Sequence, residues 1–344
     1  MKNSWIVLGL LLCTLTAGAQ DAVFSQYYAS TIYLNPALAS GERGLAFNSN
    51  YRTQWRSATI PYVTSQVSLI IPLISKFPKK RQLGGLGITA YNDRAGDGNF
   101  KTTGASLTFS RLFKLSNDGL QNVAIGVQGG FVQKSLDFTN LEWGEQFNPF
   151  VGFDASVSPS ENTFRPNVTY PDFTAGAMYY FNPEKSYLFT GMSGYSGLVL
   201  SHITRPNESI VDGLTSRVPL LFKYHGGVEV HVSDRINVSP NILYMSQFRH
   251  TQTNLGLYIS YLLTDAPIGP LSRTEIVFGS WYRLEDSFIF SFGIDHDNYT
   301  LGFSYDLNTS TLRYATRGRG AYELSLVIRK ANDKKMKKFS TPRI

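Results

Sequence analysis

Three potential zinc ligands, His225, Glu229 and His231, share one face of an alternating run. A zinc ion holds its ligands at about 2 Å, whereas positions four and six apart on a strand diverge by roughly 3.3 Å per residue. The trio therefore reads as polar lining, and no metal is expected. Gly194-Tyr195-Ser196-Gly197 lacks the spacing of a nucleophile elbow, and no grouping of Ser, His and acid is suggested by position. Gly84, Gly85 and Gly87 sit in a strand-like run with no helix after them, which argues against a phosphate cradle. Neither catalysis nor a cofactor is expected.

Three clusters point instead to recognition. Arg52, Trp55 and Arg56 form one, Asp93, Arg94 and Asp97 a second, and Arg205, Asn207 and Glu208 a third; each falls between alternating runs. Arg and aromatic side chains are the usual anchors of protein interfaces, so these nine residues are candidate partner contacts. The alternative is that Arg and Asp pair with each other and hold loops folded over a barrel mouth.

The elements that must position these clusters are period-2 strands. From Thr103 to Gln133, Ala105, Leu107, Phe109 and Phe113 alternate with Gly104, Ser106, Thr108 and Ser110; after a Ser116–Gly119 turn, Val123, Ile125, Val127 and Phe131 alternate with Asn122, Gly126, Gln128 and Gly130. Apolar groups on one face and small or polar groups on the other suit a strand between lipid and a wet lumen. Comparable runs recur near 44–53, 62–72, 83–93, 172–182, 186–200, 218–233, 235–246, 253–263, 272–284, 286–295, 298–308 and 321–330. With the two runs of the hairpin this makes about fourteen antiparallel strands, an even count that suits a transmembrane outer-membrane β-barrel.

Composition agrees. The 344 residues include 14% aromatics and 30 glycines but only 17% charged residues, a balance suited to aromatic girdles around a barrel. Beyond the N-terminus no stretch approaches the roughly 18 apolar residues of a transmembrane helix. Lys2, the apolar run from Trp5 to Leu12 and Ala17-Gly18-Ala19 read as a signal peptide over 1–19, cleaved before Gln20. Residues 20–43 then form a periplasmic or lumen-entering segment, because Pro36 and Gly41 argue against a spanning strand. The barrel occupies 44–330, and 331–344 is a basic tail. The single cysteine, Cys13, lies in the leader, so thiol chemistry is excluded from the mature chain. A net charge of +7 comes without a basic helix or nucleic-acid module, and nucleic acid is not an expected partner.

With the N-terminus in the periplasm, odd-to-even connections lie outside. The long ones at 136–171, 201–217 and 309–320 all fall there, while the short joints at 182–185, 233–234 and 296–297 fall on the periplasmic side, with one exception, the nine-residue joint at 264–272 that contains Pro267 and Pro270. The acid-rich 136–171 loop faces away from the basic clusters around Lys76–Arg81 and beyond Arg329.

Several segments together resemble the PorP/SprF family of type IX secretion membrane proteins. They are Phe24-Ser25-Gln26-Tyr27-Tyr28, Tyr33-Leu34-Asn35-Pro36-Ala37, Tyr51-Arg52-Thr53-Gln54-Trp55, Asn92-Asp93-Arg94-Ala95-Gly96-Asp97-Gly98 and His202-Ile203-Thr204-Arg205-Pro206-Asn207-Glu208-Ser209, with Tyr170-Pro171-Asp172-Phe173 and Gly302-Phe303-Ser304-Tyr305-Asp306. The order holds over nearly the whole mature chain; the tail beyond Lys330 departs from it. The resemblance implies a non-enzymatic outer-membrane barrel that supports secretion or surface attachment of a partner such as a gliding adhesin. Its implied partners are a secreted or surface-anchored protein, other type IX components and outer-membrane lipid. Asn35-Pro36-Ala37 also resembles a motif of fatty-acid-type channels, so the rival expectation is a pore or substrate-selective channel.

Overall fold

A computed structural model describes residues 21–331 except 59, 76–80, 97, 117–119, 138–140, 155, 158–164, 182–191 and 265–273. The leader and its cleavage point, most of the Lys76–Arg81 cluster, Asp97, the turn at 117–119, the joint at 182–185, the Pro267 and Pro270 connection and the tail from 332 lie outside the described residues.

Fourteen strands close into one antiparallel barrel. They are β1 (Gly44–Gln54), β2 (Tyr62–Ser75), β3 (Arg81–Ala95), β4 (Phe100–Lys114), β5 (Gln121–Ser135), β6 (Asn167–Phe181), β7 (Met192–Ser201), β8 (Leu221–Ser233), β9 (Ile236–Gln247), β10 (His250–Leu262), β11 (Thr274–Arg283), β12 (Ser287–His296), β13 (Tyr299–Asn308) and β14 (Arg319–Ala331). Each pairs with its chain neighbours, and β1 pairs with β14 from Gly44↔Ala331 to Gln54↔Ala321. Closure leaves no unpaired edge, as a lipid-spanning sheet requires.

The predicted hairpin is β4–β5, with Phe109 opposite Val127 and Ser110 opposite Gly126. Leu107, Phe109, Ile125, Val127 and Phe131 are exposed on its outer face, while Thr108, Ser110 and Ala124 are buried on the inner one. Several boundaries shift by a few residues from the expectation, and one shift is informative: β6 starts at Asn167 and runs through Pro171. Proline is tolerated there because β7 pairs with β6 only from Ala175 onward, so at residue 171 the side facing β7 has no ladder to break.

The barrel has two unlike ends. Two-residue turns at 234–235 and 297–298 mark the turn end; the connections at 136–166, 202–220 and 309–318 mark the loop end. Within the first of these, Phe147 pairs with Phe153 in a small separate hairpin, and Phe147, Phe150 and Val151 are exposed.

Residues 21–43 fill the lumen. They begin near the loop end and descend through a 3-10 turn (Tyr27–Ser30), a helical turn (Thr31–Leu34) and a second 3-10 turn (Pro36–Ser40) to the start of β1 at the turn end. Asn35 starts the last turn, its side chain accepting a hydrogen bond from the Ala37 N–H at 2.9 Å with Pro36 in the first position. Three wall glycines make room for this chain: a Cβ on Gly85, Gly126 or Gly176 would collide with Ala39, with the Pro36–Ala37 backbone or with Asn35.

The lumen is not uniformly polar, which is where the fold departs from the simple alternation. Leu243, Met245, Tyr258, Val277, Trp281 and Ile289 point inward and are buried with Tyr27, Leu34 and Leu38 in one core. The reason is the internal segment: an inward side chain that meets protein instead of water gains from being apolar, roughly 1.5–3 kcal/mol for a fully buried large one.

Candidate functional site

The internal segment is held at its loop-end half by charge. Arg52 on β1 reaches Asp306 on β13 at 2.8 Å, and Arg283 on β11 lies 3.5 Å from the same carboxylate. Ser25 donates its hydroxyl to Asp306 at 2.8 Å and its N–H to Glu323 on β14 at 2.7 Å. Gln26 adds its N–H to Glu323 at 3.2 Å, and Arg52 also donates to the Val23 carbonyl. Asp306 and Glu323 are 1% and 0% exposed, so burial of two carboxylates is offset by two guanidinium groups and by backbone donors of the segment.

Lower down the contacts are aromatic and neutral. Tyr27 packs edge-on against Trp281 at 5.0 Å and Tyr28 against Tyr258 at 4.9 Å, separations typical of favourable T-shaped pairs. Asn35 donates to the Ala177 carbonyl at 3.2 Å, and its amide lies 3.0 Å from Nε2 of fully buried His225. Glu229 faces the same lumen and His231 is exposed; among the described residues no cluster of His, Cys, Asp and Glu could hold a metal.

At the top of the segment His202, just beyond β7, lies between Asp21 at 2.7 Å and Asp172 at 3.0 Å. Burial works against its charged form, but the two carboxylates outweigh that, and its pKa is pushed up to about 10. Burial raises Asp21 as well, yet His202 and then Lys223 draw it well below the usual carboxylate range.

The eight sequence candidates among the described residues divide among separate places, Asp97 lying outside them. Arg52 and Asp93 face the lumen, Asp93 accepting from the Thr64 hydroxyl at 2.6 Å. Trp55, at φ 55°, turns the chain out of β1, its N–H bonded to the Gly320 carbonyl and its ring 5.0 Å from Tyr62. Arg56 touches the Tyr322 hydroxyl at 3.3 Å; Arg94 and Arg205 are exposed. Asn207 braces the loop after β7 through the Ser209 and Ser216 N–H groups, and Glu208 ties that loop to Lys134 on β5. Asp306, Glu323, His202 and Lys223 carry much of the geometry without being among the nine. Their signal is phase: Asp306, Glu323 and Lys223 interrupt the inward positions of strands whose outward positions are apolar or aromatic.

Comparison with known proteins adds a family. Residues 16–328 match the family model described as "Type IX secretion system membrane protein PorP/SprF". No curated protein matches. Similar solved structures include the CymD monoaromatic hydrocarbon channel, at 12% identity over 92% of this chain and 95% of that one with TM-score 0.48. The Ralstonia pickettii toluene transporter TbuX has 11% identity over 91% and 94%, with TM-score 0.47. The KdgM porin has 6% identity over 83% and 99%, with TM-score 0.37.

Proposed function

Since the chain belongs to the PorP/SprF family of type IX secretion system membrane proteins, we propose that this non-enzymatic outer-membrane barrel supports secretion or cell-surface attachment of one partner protein, such as a gliding adhesin. The observation that carries this reading over a passive pore is the filled lumen: residues 24–40 are almost all buried inside the barrel. A barrel whose bore is occupied by its own chain offers function at its loops. In this reading the loop end faces outward, and exposed Arg94, Arg205, Phe147 and Phe150 are available to a partner. Other type IX components would meet the turn end and the basic tail.

Deleting the chain and comparing surface proteomes tests the role: one missing adhesin, restored by complementation, is the expected result, and an unchanged surface would end the proposal. Protease treatment of intact cells tests orientation, with cleavage expected in 136–166 and 202–220; cuts confined to 234–235 and 297–298 would reverse it. The competing reading, a pore or substrate-selective channel of fatty-acid-transporter type, draws on the polar space near the loop end that Asp93, Lys134, Asp172 and Lys223 line. Steady permeation of small solutes through the intact barrel in liposomes would favour it.

A further inference from the structure

The outer face of β3–β5 changes character at its loop end. On β4 the outward positions Ala105, Leu107 and Phe109 are apolar, yet Lys101 on the same face is a cation. The register sets Lys101 directly opposite Arg94 on β3, where side chains stand about 4.5–5.5 Å apart and like charges repel. Neither has a hydrogen-bond or ion-pair partner among the described residues. Asp93, the acid next to Arg94 in the chain, faces the lumen, where Arg52 and Lys134 meet its charge.

One step toward the bilayer, Asn92, Thr103 and Gln133 stand side by side across β3, β4 and β5, with Asn92 donating to the Thr103 hydroxyl at 2.7 Å. Beyond them Ile88, Leu107 and Phe131 are exposed on the same face. These layers of cation, hydroxyl with amide, and hydrocarbon match a lipid followed from its phosphate through its linkage region to its acyl chains. Depth agrees. Lys101 and Arg111 lie ten residues apart on one face of β4, about 33 Å of strand, which a tilt of about 40° foreshortens to about 25 Å, the height of a barrel's apolar band. With Arg111 at one boundary, Lys101 and Arg94 stand at the other.

We propose that Arg94 and Lys101 bind phosphate on the headgroup of an outer-leaflet glycolipid of the lipid A kind, whose acyl chains lie along Leu107 and Phe131. One anionic group between the two cations turns their repulsion into a shared attraction. The middle row selects the lipid class. Beneath the phosphate a glycerophospholipid holds only ester acceptors, whereas an amino-sugar lipid presents both donors and acceptors to Asn92, Thr103 and Gln133. The assignment rests on the outward loop end proposed above; it gives Arg94 to lipid and leaves Arg205, Phe147 and Phe150 to a protein.

Native mass spectrometry of the full barrel released from detergent micelles tests it, with bisphosphorylated lipid A, its dephosphorylated form and phosphatidylglycerol as probes at matched concentration. The parent should hold bisphosphorylated lipid A at least about tenfold more tightly than either of the others, the ratio one charge-assisted hydrogen bond supplies. Arg94→Gln combined with Lys101→Gln should remove that preference and keep heat-modifiable migration in gels, while Arg111→Gln at the opposite boundary should leave it intact. If the double variant fails to assemble, the lipid series on the parent decides the matter. Equal retention of phosphorylated and dephosphorylated lipid A, or an unchanged preference in the double variant, would overturn the proposal; phosphatidylglycerol held as tightly as lipid A would overturn the glycolipid assignment. Binding in micelles does not depend on which way the barrel faces. Surface protease cuts confined to the turn end, with the preference intact, would therefore sink the orientation and not the phosphate site.

Discussion

Arg52 lies two residues before the end of β1, and its alternation phase, more than its neighbours, decides its role. The sequence groups it with Trp55 and Arg56, but the strand turns it inward to Asp306, while the left-handed backbone at Trp55 turns the next residues out. Arg52→Met leaves Asp306 to the more distant Arg283 and should destabilise the barrel by about 3–5 kcal/mol, the range for breaking a buried pair. The urea midpoint in detergent measures this; the exposed Arg94→Met should stay within about 0.5 kcal/mol. His202 supplies a pH dependence. Its folded pKa of about 10 exceeds the ordinary 6.5, so its stabilising contribution is complete below about 6.5 and is lost as pH rises through 10. Asp21 is depressed, so its share is present above its ordinary 3.8 and is lost only as pH falls well below that. A nitroxide at Ala22→Cys should therefore stay immobile from pH 5 to 9 and loosen near 10, and should be mobile already at pH 7 when His202→Gln is added.

The strands and the internal segment were unequally legible as elements. Strands such as β13 are plain in the sequence because Tyr299, Leu301, Phe303 and Leu307 face out and Gly302, Ser304 and Asp306 face in. β11 is harder: Val277 and Trp281 point in and Ile276 and Phe278 point out, so alternation is blurred where the inner face meets protein. The occupant itself has no period at all, and what announces it is the set of wall glycines whose partners lie more than forty residues away in the chain. Gly126→Val should push against Pro36 and Ala37 and loosen the segment while leaving the outer face untouched; a rise in planar-bilayer conductance over the parent checks it. The outer face has its own test. Phe109→Arg or Val127→Arg places a charge on exposed lipid-facing positions and should cost about 2–4 kcal/mol near the midplane, against about 0–1 for a charge near the interface such as Arg111. Folded yield into vesicles should fall sharply for the first two and barely change for Arg111→Ala.

At the scale of the whole molecule, closure and filling are one arrangement. The ladder that shuts the cylinder joins the first strand to the last, with Arg52 opposite Glu323, and the internal segment grips residues on both: Arg52 and Asn48 on β1, Glu323 and Ser325 on β14. The Ser25–Glu323 bond links residues 298 apart in sequence, among the slowest contacts for a chain to find. The segment thus works as a clasp across the final seam. A chain lacking residues 21–41 should acquire its strands at the normal rate yet shut the cylinder more slowly, and gel-shift kinetics after dilution from urea into detergent would show it as a lag confined to the last step.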